Sequence, residues 1–348
     1  MKIKLILILL LFACNKKESI NRIDTILLTE ELSPIDSIKY EENVNPFFPF
    51  NIININEKYL VLSQRTQDKF LRVYSLPDLK LLYDWGKSGR GPAEFIMPPF
   101  FINTTSENNF IILNDLLDYR QEIYGINDTT LYIVESKELR YENQSSLLER
   151  VRFAGDEKYI VDNYPVNEND DYEYLLLELD NPLVQKRFGE YPIKNLEPEI
   201  KSRRFIKSSG FNLYTGNFIA FYMRYNSFKI YDVEKNLIDE FFVDGFTPNS
   251  YEEDPNDYLT RLILQTTEKR IYTIGYFESS TKIFDEISSE NNSSFETWDW
   301  NGQSLFRIKF DRLIHGFSVS EKYRKIYAYS LSNPEQILVY ELPNSIGK

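Results

Sequence analysis

Tyr59-Leu60-Val61-Leu62-Ser63 is the stretch from which the architecture can be read. An aromatic residue opens it and alternating apolar positions follow, the pattern of a buried strand. The pattern returns at Phe110-Ile111-Ile112-Leu113-Asn114, Tyr159-Ile160-Val161-Asp162-Asn163 and Phe218-Ile219-Ala220-Phe221-Tyr222. Two further copies stand at Ile271-Tyr272-Thr273-Ile274-Gly275 and Ile326-Tyr327-Ala328-Tyr329-Ser330. The intervals are 51, 49, 59, 53 and 55 residues. A period near fifty marks a repeat in which each unit is one supersecondary element.

Outward from each copy, an apolar segment precedes it, as at 48–55, 100–103 and 147–153. A second strand follows, in several copies ending in an apolar residue plus Tyr: Arg72-Val73-Tyr74, Glu122-Ile123-Tyr124, Lys229-Ile230-Tyr231 and Leu338-Val339-Tyr340. Polar turns such as Leu76-Pro77-Asp78, Asp180-Asn181-Pro182 and Trp300-Asn301-Gly302 then lead to a third apolar run. Six units of four strands predict an all-β fold, a six-bladed β-propeller of four-stranded antiparallel blades. The rival is a two-domain β-sandwich, against which the regular spacing argues. Twenty-five Phe and 25 Tyr suit sheet. The sixth unit stops too soon for a final strand, and the unpartnered segment 20–29 is expected to supply it, closing the ring.

One loop is distinctive: Gly86-Lys87-Ser88-Gly89-Arg90-Gly91-Pro92-Ala93-Glu94-Phe95. Its glycines allow positive φ, and Pro92 blocks continuation in a sheet. With the six-unit pattern and the lipobox-like stretch Leu11-Phe12-Ala13-Cys14, it resembles the TolB-like six-bladed propeller lipoproteins of bacteria, with Ala93 where that family usually carries Gly. The resemblance implies a fold and a location, and no catalytic residues to transfer.

Residues 1–13 read as a lipoprotein signal peptide. Lys2 and Lys4 precede the apolar run 5–12, and Leu11-Phe12-Ala13-Cys14 has the form of a lipobox, so Cys14 is expected to be lipidated. Residues 14–19 are then a lipid-anchored tether and 20–348 the propeller. An eight-residue apolar run is too short to span a bilayer, which takes about 20. Asn15, where inner-membrane lipoproteins often carry Asp, favours the outer membrane of a cell envelope, on either side. Loss of Lys2 and Lys4 leaves 38 basic against 53 acidic residues, a net charge of −15. That field repels nucleic acid and anionic head groups. With one cysteine there is no intramolecular disulfide and no cysteine-based zinc cluster.

With strands a to d numbered from the centre outwards, the a–b and c–d turns share one end of the ring and the b–c and d–a loops the other. The second set is long, including 85–98, 164–171, 189–204, 245–258 and 277–294. Long loops on one end of a rigid scaffold are where binding residues gather. That end is expected to carry Arg65, Lys87, Arg90, Tyr119, Arg120, Arg203, Arg204, Arg224 and Tyr225, with His315 near the channel mouth. Two readings stand: contacts to an anion or sugar, or solvated charges balancing nearby acids.

Catalytic signatures are thin. Gly86-Lys87-Ser88 is not a phosphate loop, because Leu81 stands where the first glycine belongs and Gly89–Pro92 starts a helix badly. His315 is the only histidine, so a histidine metal cluster is impossible, and no Gly-x-Ser-x-Gly elbow accompanies it. Asn167-x-Asn169-x-Asp171-x-Glu173 alternates oxygen ligands but lacks the glycine and twelfth-position Glu of a calcium loop, and reads as a solvated acidic loop. No cofactor or metal is expected. The expectation is a monomeric binding platform for an envelope protein, glycan or peptide, the alternatives being a polysaccharide- or lactone-acting hydrolase or lyase and a structural subunit of an envelope complex.

Overall fold

The computed structural model describes residues 21–23, 31–39, 49–64, 69–91, 94–102, 110–115, 120–138, 151–155, 158–165, 167–178, 184–234, 236–244, 247–252, 258–284 and 292–343. Six antiparallel sheets follow one another along the chain. Blade 1 comprises Pro49–Ile55, Tyr59–Gln64, Leu71–Ser75 and Lys80–Trp85. Blade 2 comprises Phe100–Ile102, Phe110–Asp115, Arg120–Ile126 and Leu131–Glu138. Blade 3 runs through Val151–Phe153, Lys158–Asp162, Tyr172–Glu178 and Val184–Glu190. Blade 4 runs through Lys207–Phe211, Asn217–Tyr222, Ser227–Asp232 and Asn236–Val243. Blade 5 has Tyr258–Thr266, Arg270–Ser279, Ser294–Asp299 and Ser304–Phe310. Blade 6 has Gly316–Ser320, Lys325–Tyr329 and Gln336–Glu341, closed on the outside by Asp36–Lys39.

Each repeat signature is the second strand of its blade, and apart from the half-buried Phe110 its described apolar residues are buried on both faces: Tyr59, Leu60, Val61 and Leu62 have no exposed surface. The core is accordingly a set of wedges between neighbouring blades. Trp85 meets Tyr124 edge-on at 4.7 Å between blades 1 and 2, and Tyr174 meets Phe218 at 4.7 Å between blades 3 and 4. Phe228 and Trp298 join blades 4 and 5, and Phe310 and Tyr340 blades 5 and 6. Such aromatic pairs contribute about 0.5–1.5 kcal/mol beyond their buried area. The wedge between blades 6 and 1 holds Tyr327, Tyr329, Leu60 and Leu62.

Polar stitches join the innermost strands. Thr266 donates its hydroxyl to the Phe211 carbonyl at 3.0 Å, and the Gln265 side chain brackets Val319 by accepting from its N–H at 2.7 Å and donating to its carbonyl. Where the ring closes, the Asn54 N–H donates to the Ser318 hydroxyl at 2.8 Å and the Glu57 carboxylate accepts from the Glu321 N–H and the Ser320 hydroxyl.

The closing strand is not the segment expected. Asp36–Lys39 pairs antiparallel with the third strand of blade 6, Ile38 opposite Ile337 and Asp36 opposite Val339. Asn21–Ile23, inside the expected segment, instead lies parallel on the outer strand of blade 4, Ile23 opposite Val243, and Glu31–Leu32 lies parallel on blade 5. The reason is that an outermost strand buries one face lightly. Ile38 packs inward, against the wedge of Tyr327, Ile337 and Val339, while Asp36 and Ser37 are exposed. Such a strand carries no apolar run. Described N-terminal segments thus lie along the outer edges of three successive blades, which would otherwise present unpaired backbone.

Candidate functional site

Strand directions put the tight a–b and c–d turns at one end of the ring and the longer connections at the other, as the spacing predicts. The long-loop end also carries the extra elements: helix α1, Pro198–Arg204, a 3-10 turn at Pro248–Glu252, and helix α2, Ser280–Phe284. Helix α1 starts on Pro198, with Glu199 in its first turn and Lys201, Arg203 and Arg204 in its last, so its charges complement the helix dipole. Seven residues are too few to hold a helix in water, and tertiary contacts must do so.

Beneath this end, between blades 3 and 4, lies a buried ionic layer. Glu173 has no exposed surface and accepts from the Tyr222 and Tyr231 hydroxyls at 2.8 Å each and from the Lys207 ammonium at 3.2 Å; Lys229 stands 3.5 Å away. Burial pushes the Glu173 carboxyl up, but the two ammonium groups and two hydroxyls outweigh it and hold it below the ordinary range. Burial pushes the Lys207 ammonium down against the pull of Glu173, and that ammonium lies 4.8 Å from the ring centres of Tyr174 and Tyr191. Asp162, Asn163, Tyr191, Ser202, Phe205 and Lys207 line a small hollow beside it.

A second buried layer joins blades 4 and 5. Arg261, fully buried, donates to both Glu296 oxygens at 2.6 and 3.3 Å and to Asn226 Oδ1 at 2.6 Å. Arg307 reaches the same carboxylate at 3.2 Å. Both guanidinium groups lie against the ring of Phe277, Arg307 at 4.4 Å and Arg261 at 5.3 Å. Phe277 has φ +56°, a left-handed conformation costly for a bulky side chain, and its ring fills the space a Cβ on Gly275 would need. Around these layers the surface presents Arg203, Tyr258 (44% exposed) and Phe284 (43%).

Residues 37–322 match the model of the TolB-like six-bladed propellers. The chain belongs to that family. No curated protein matches it in sequence. A member of the DUF4221 family from Bacteroides vulgatus has a similar fold, with a TM-score of 0.59 at 10% identity, over 89% of this chain and 97% of its own. A Bacteroides fragilis protein to which export has been ascribed superposes with a TM-score of 0.52 at 12% identity, over 92% of this chain and 99% of its own.

In this TolB-like propeller the glycine-rich loop folds on itself. Glu94 accepts from the Gly91 N–H at 2.8 Å and pairs with Lys87 at 2.6 Å, while Lys87–Ser88 and Glu94–Phe95 form a two-residue parallel ladder. Lys87 and the Gly91 N–H hold the Glu94 carboxyl below its ordinary value. Phe95 is fully buried against Phe70 and Trp85, anchoring the loop. Lys87 is thus a partner within its own loop, and Arg90 is exposed nearby.

The other expected residues divide. Arg203 is exposed on helix α1. Arg204 donates to the Tyr225 hydroxyl at 2.7 Å and to the Glu252 carbonyl at 2.9 Å, tying α1 to blade 4 and the 3-10 turn. Tyr225 is buried in an aromatic cluster with Phe205, Tyr222 and Tyr251, and Arg224 is half-buried beside it. Arg120 begins the third strand of blade 2. Cys14, Arg65 and Tyr119 lie outside the described residues.

His315 is 8% exposed. Its Nδ1 accepts from the Leu331 N–H at 3.1 Å, so Nε2 carries the proton and donates to the Ile283 carbonyl at 3.1 Å. Burial pushes the imidazole down against that carbonyl. Both nitrogens are committed to backbone, and neither is placed to act as a base.

The run from Asn167 to Glu173 is a solvated acidic loop only at 167–169, which are exposed. Asp170 and Glu173 are buried, and Arg187, Lys201, Lys207 and Lys229 supply countercharges. Among the described residues no cluster of three His, Cys, Asp or Glu could hold a metal. The signal for these layers was present in sequence as charges inside apolar strands: Phe228-Lys229-Ile230, Tyr172-Glu173-Tyr174 and Phe295-Glu296-Thr297. Where both faces of the strand are covered, a charge flanked in this way is buried and must be paired.

Proposed function

We propose that this TolB-like propeller is a cell-envelope lipoprotein, anchored through acylated Cys14 after removal of residues 1–13, that binds a partner protein, glycan or peptide with its long-loop end. The observation that carries the reading is the asymmetry of the ring. One end has tight turns, while the other builds two short helices and a 3-10 turn over buried ion networks and displays Arg203, Tyr258 and Phe284. Rigid support beneath exposed aromatic and Arg side chains is the construction expected of a recognition surface. The lipobox Leu11-Phe12-Ala13-Cys14 supports the anchor, and the export ascribed to the Bacteroides fragilis relative accords with it. Among the described residues no helix is long and apolar enough to cross a membrane.

Two experiments test this. Metabolic labelling with a fatty-acid probe should mark the wild-type protein and not Cys14→Ala; equal labelling of both removes the anchor. Peptide and glycan arrays, with a pull-down of envelope proteins, should yield a ligand whose affinity falls at least tenfold in the combined variant Arg203→Glu, Tyr258→Ala, Phe284→Ala at unchanged melting temperature. Unchanged affinity removes the face.

A further inference from the structure

The oxygen-bearing run Asn167–Asp171 is curled around a cation, and that cation belongs to the protein. Lys201 of helix α1 has no exposed surface. Its ammonium donates to the carbonyls of Glu168 at 2.7 Å and Asp170 at 3.2 Å and to Asp171 Oδ1 at 2.6 Å. An ammonium has three N–H donors, and these contacts use all three. The loop is preshaped for them. The Asp170 N–H returns to the Asn167 carbonyl at 3.1 Å, and the Asn169 N–H donates to Asn167 Oδ1 at 3.0 Å. The Asp170 carboxylate is drawn elsewhere, to Asn163 at 3.0 Å and Arg187 at 3.2 Å, and the Asp171 carbonyl is held by the Tyr191 N–H at 2.9 Å. Only one carboxylate therefore faces the cation, far from the six to eight oxygens a calcium ion takes. The cage suits a single positive charge with N–H donors.

We propose that residues 167–171 form a small-cation site for a primary ammonium, filled by the tethered Lys201, and that this contact latches helix α1 to blade 3. Its consequence for function rests on the reading above: the latch sets where Arg203 and Arg204 stand at the long-loop end. Arg204 and Phe205 hold the far end of the helix to blade 4, so the latch governs its position without carrying the fold.

Hydrogen exchange on the full chain tests the latch without reference to any ligand, so its failure and the failure of the binding face are distinguishable. In Lys201→Met, which keeps most of the stem and loses the charge, amides of 167–171 and 199–204 should exchange at least tenfold faster, with blades 1 and 6 unchanged. In Lys201→Ala, ethylammonium chloride should restore slow exchange, whereas tetramethylammonium chloride at equal ionic strength, having no N–H, should not. Unchanged exchange in Lys201→Met, or equal effects of the two salts, overturns the proposal. Should both Lys201 variants fail to fold, Asp171→Asn decides. It keeps an oxygen and drops the charge, and should speed exchange of 199–204 severalfold; no change overturns the latch.

Discussion

Replacing Glu173 with Gln is the perturbation whose magnitude the structure sets most clearly. The carboxylate is fully buried and answers two ammonium groups and two tyrosine hydroxyls. Gln keeps the volume and one acceptor oxygen but leaves the Lys207 and Lys229 charges facing an amide. Breaking a buried ion pair by removing one partner costs about 3–5 kcal/mol. Lys229 retains the Glu190 carbonyl at 2.7 Å and Glu240 at 3.8 Å, so the loss falls mainly on Lys207. For 348 residues an unfolding entropy of about 2.1 cal/mol/K per residue gives roughly 0.7 kcal/mol/K, so the melting temperature should fall by about 4–7 °C. The assay is calorimetry at pH 7 on wild type, Glu173→Gln, Lys207→Met and the double variant. The double variant should recover much of the loss, because removing a whole buried pair is often close to neutral. A single-variant loss below about 1 kcal/mol, within the range of an exposed pair, or strict additivity in the cycle, would refute the reasoning. The folded carboxyl sits below its ordinary value of 4.5, so its contribution to stability is present above that value and is lost as pH falls through the folded pKa.

Three further outcomes follow from particular contacts. His315 is held neutral below its ordinary 6.5, so its contribution is complete above that pH and declines as pH falls towards the folded pKa; the difference in melting temperature between wild type and His315→Gln should shrink from pH 7.5 to 5.5, and a constant difference would exclude this. Glu94→Ala should release the 86–95 loop, read as faster protease cleavage there at an unchanged melting temperature; equal cleavage would show that Phe95 alone fixes the loop. A chain starting at residue 31 keeps Asp36–Lys39 and should unfold in one transition, whereas one starting at 40 leaves the Gln336–Glu341 edge open and should aggregate. Identical behaviour of the two would deny that strand its closing role.

The blades were legible because a strand buried on both faces is mostly apolar, and six such strands recur with their turns. The closing strand escaped because Asp36-Ser37-Ile38-Lys39 has one apolar residue, all that an outer edge requires. The end carrying the long loops followed from strand alternation alone. What stands on it did not. Arg204 and Tyr225 read as surface groups, yet each is taken up by the neighbouring turn or aromatic cluster, because sequence shows a residue's type and not its partner. Lys201 is the sharpest case. In a helix with Arg203 and Arg204 it looks like one more solvated cation, and only the fold brings the 167–171 loop around it.

The most direct test of a recognition surface at the long-loop end is photo-crosslinking in cells, with the same photoreactive residue placed singly at Tyr258, Phe284 and Tyr214. All three side chains are well exposed, but Tyr214 lies in a tight turn at the opposite end of the ring. Binding at the long-loop end predicts a discrete adduct from positions 258 and 284 and none from 214. An adduct from 214 alone, or none from 258 and 284, would contradict it.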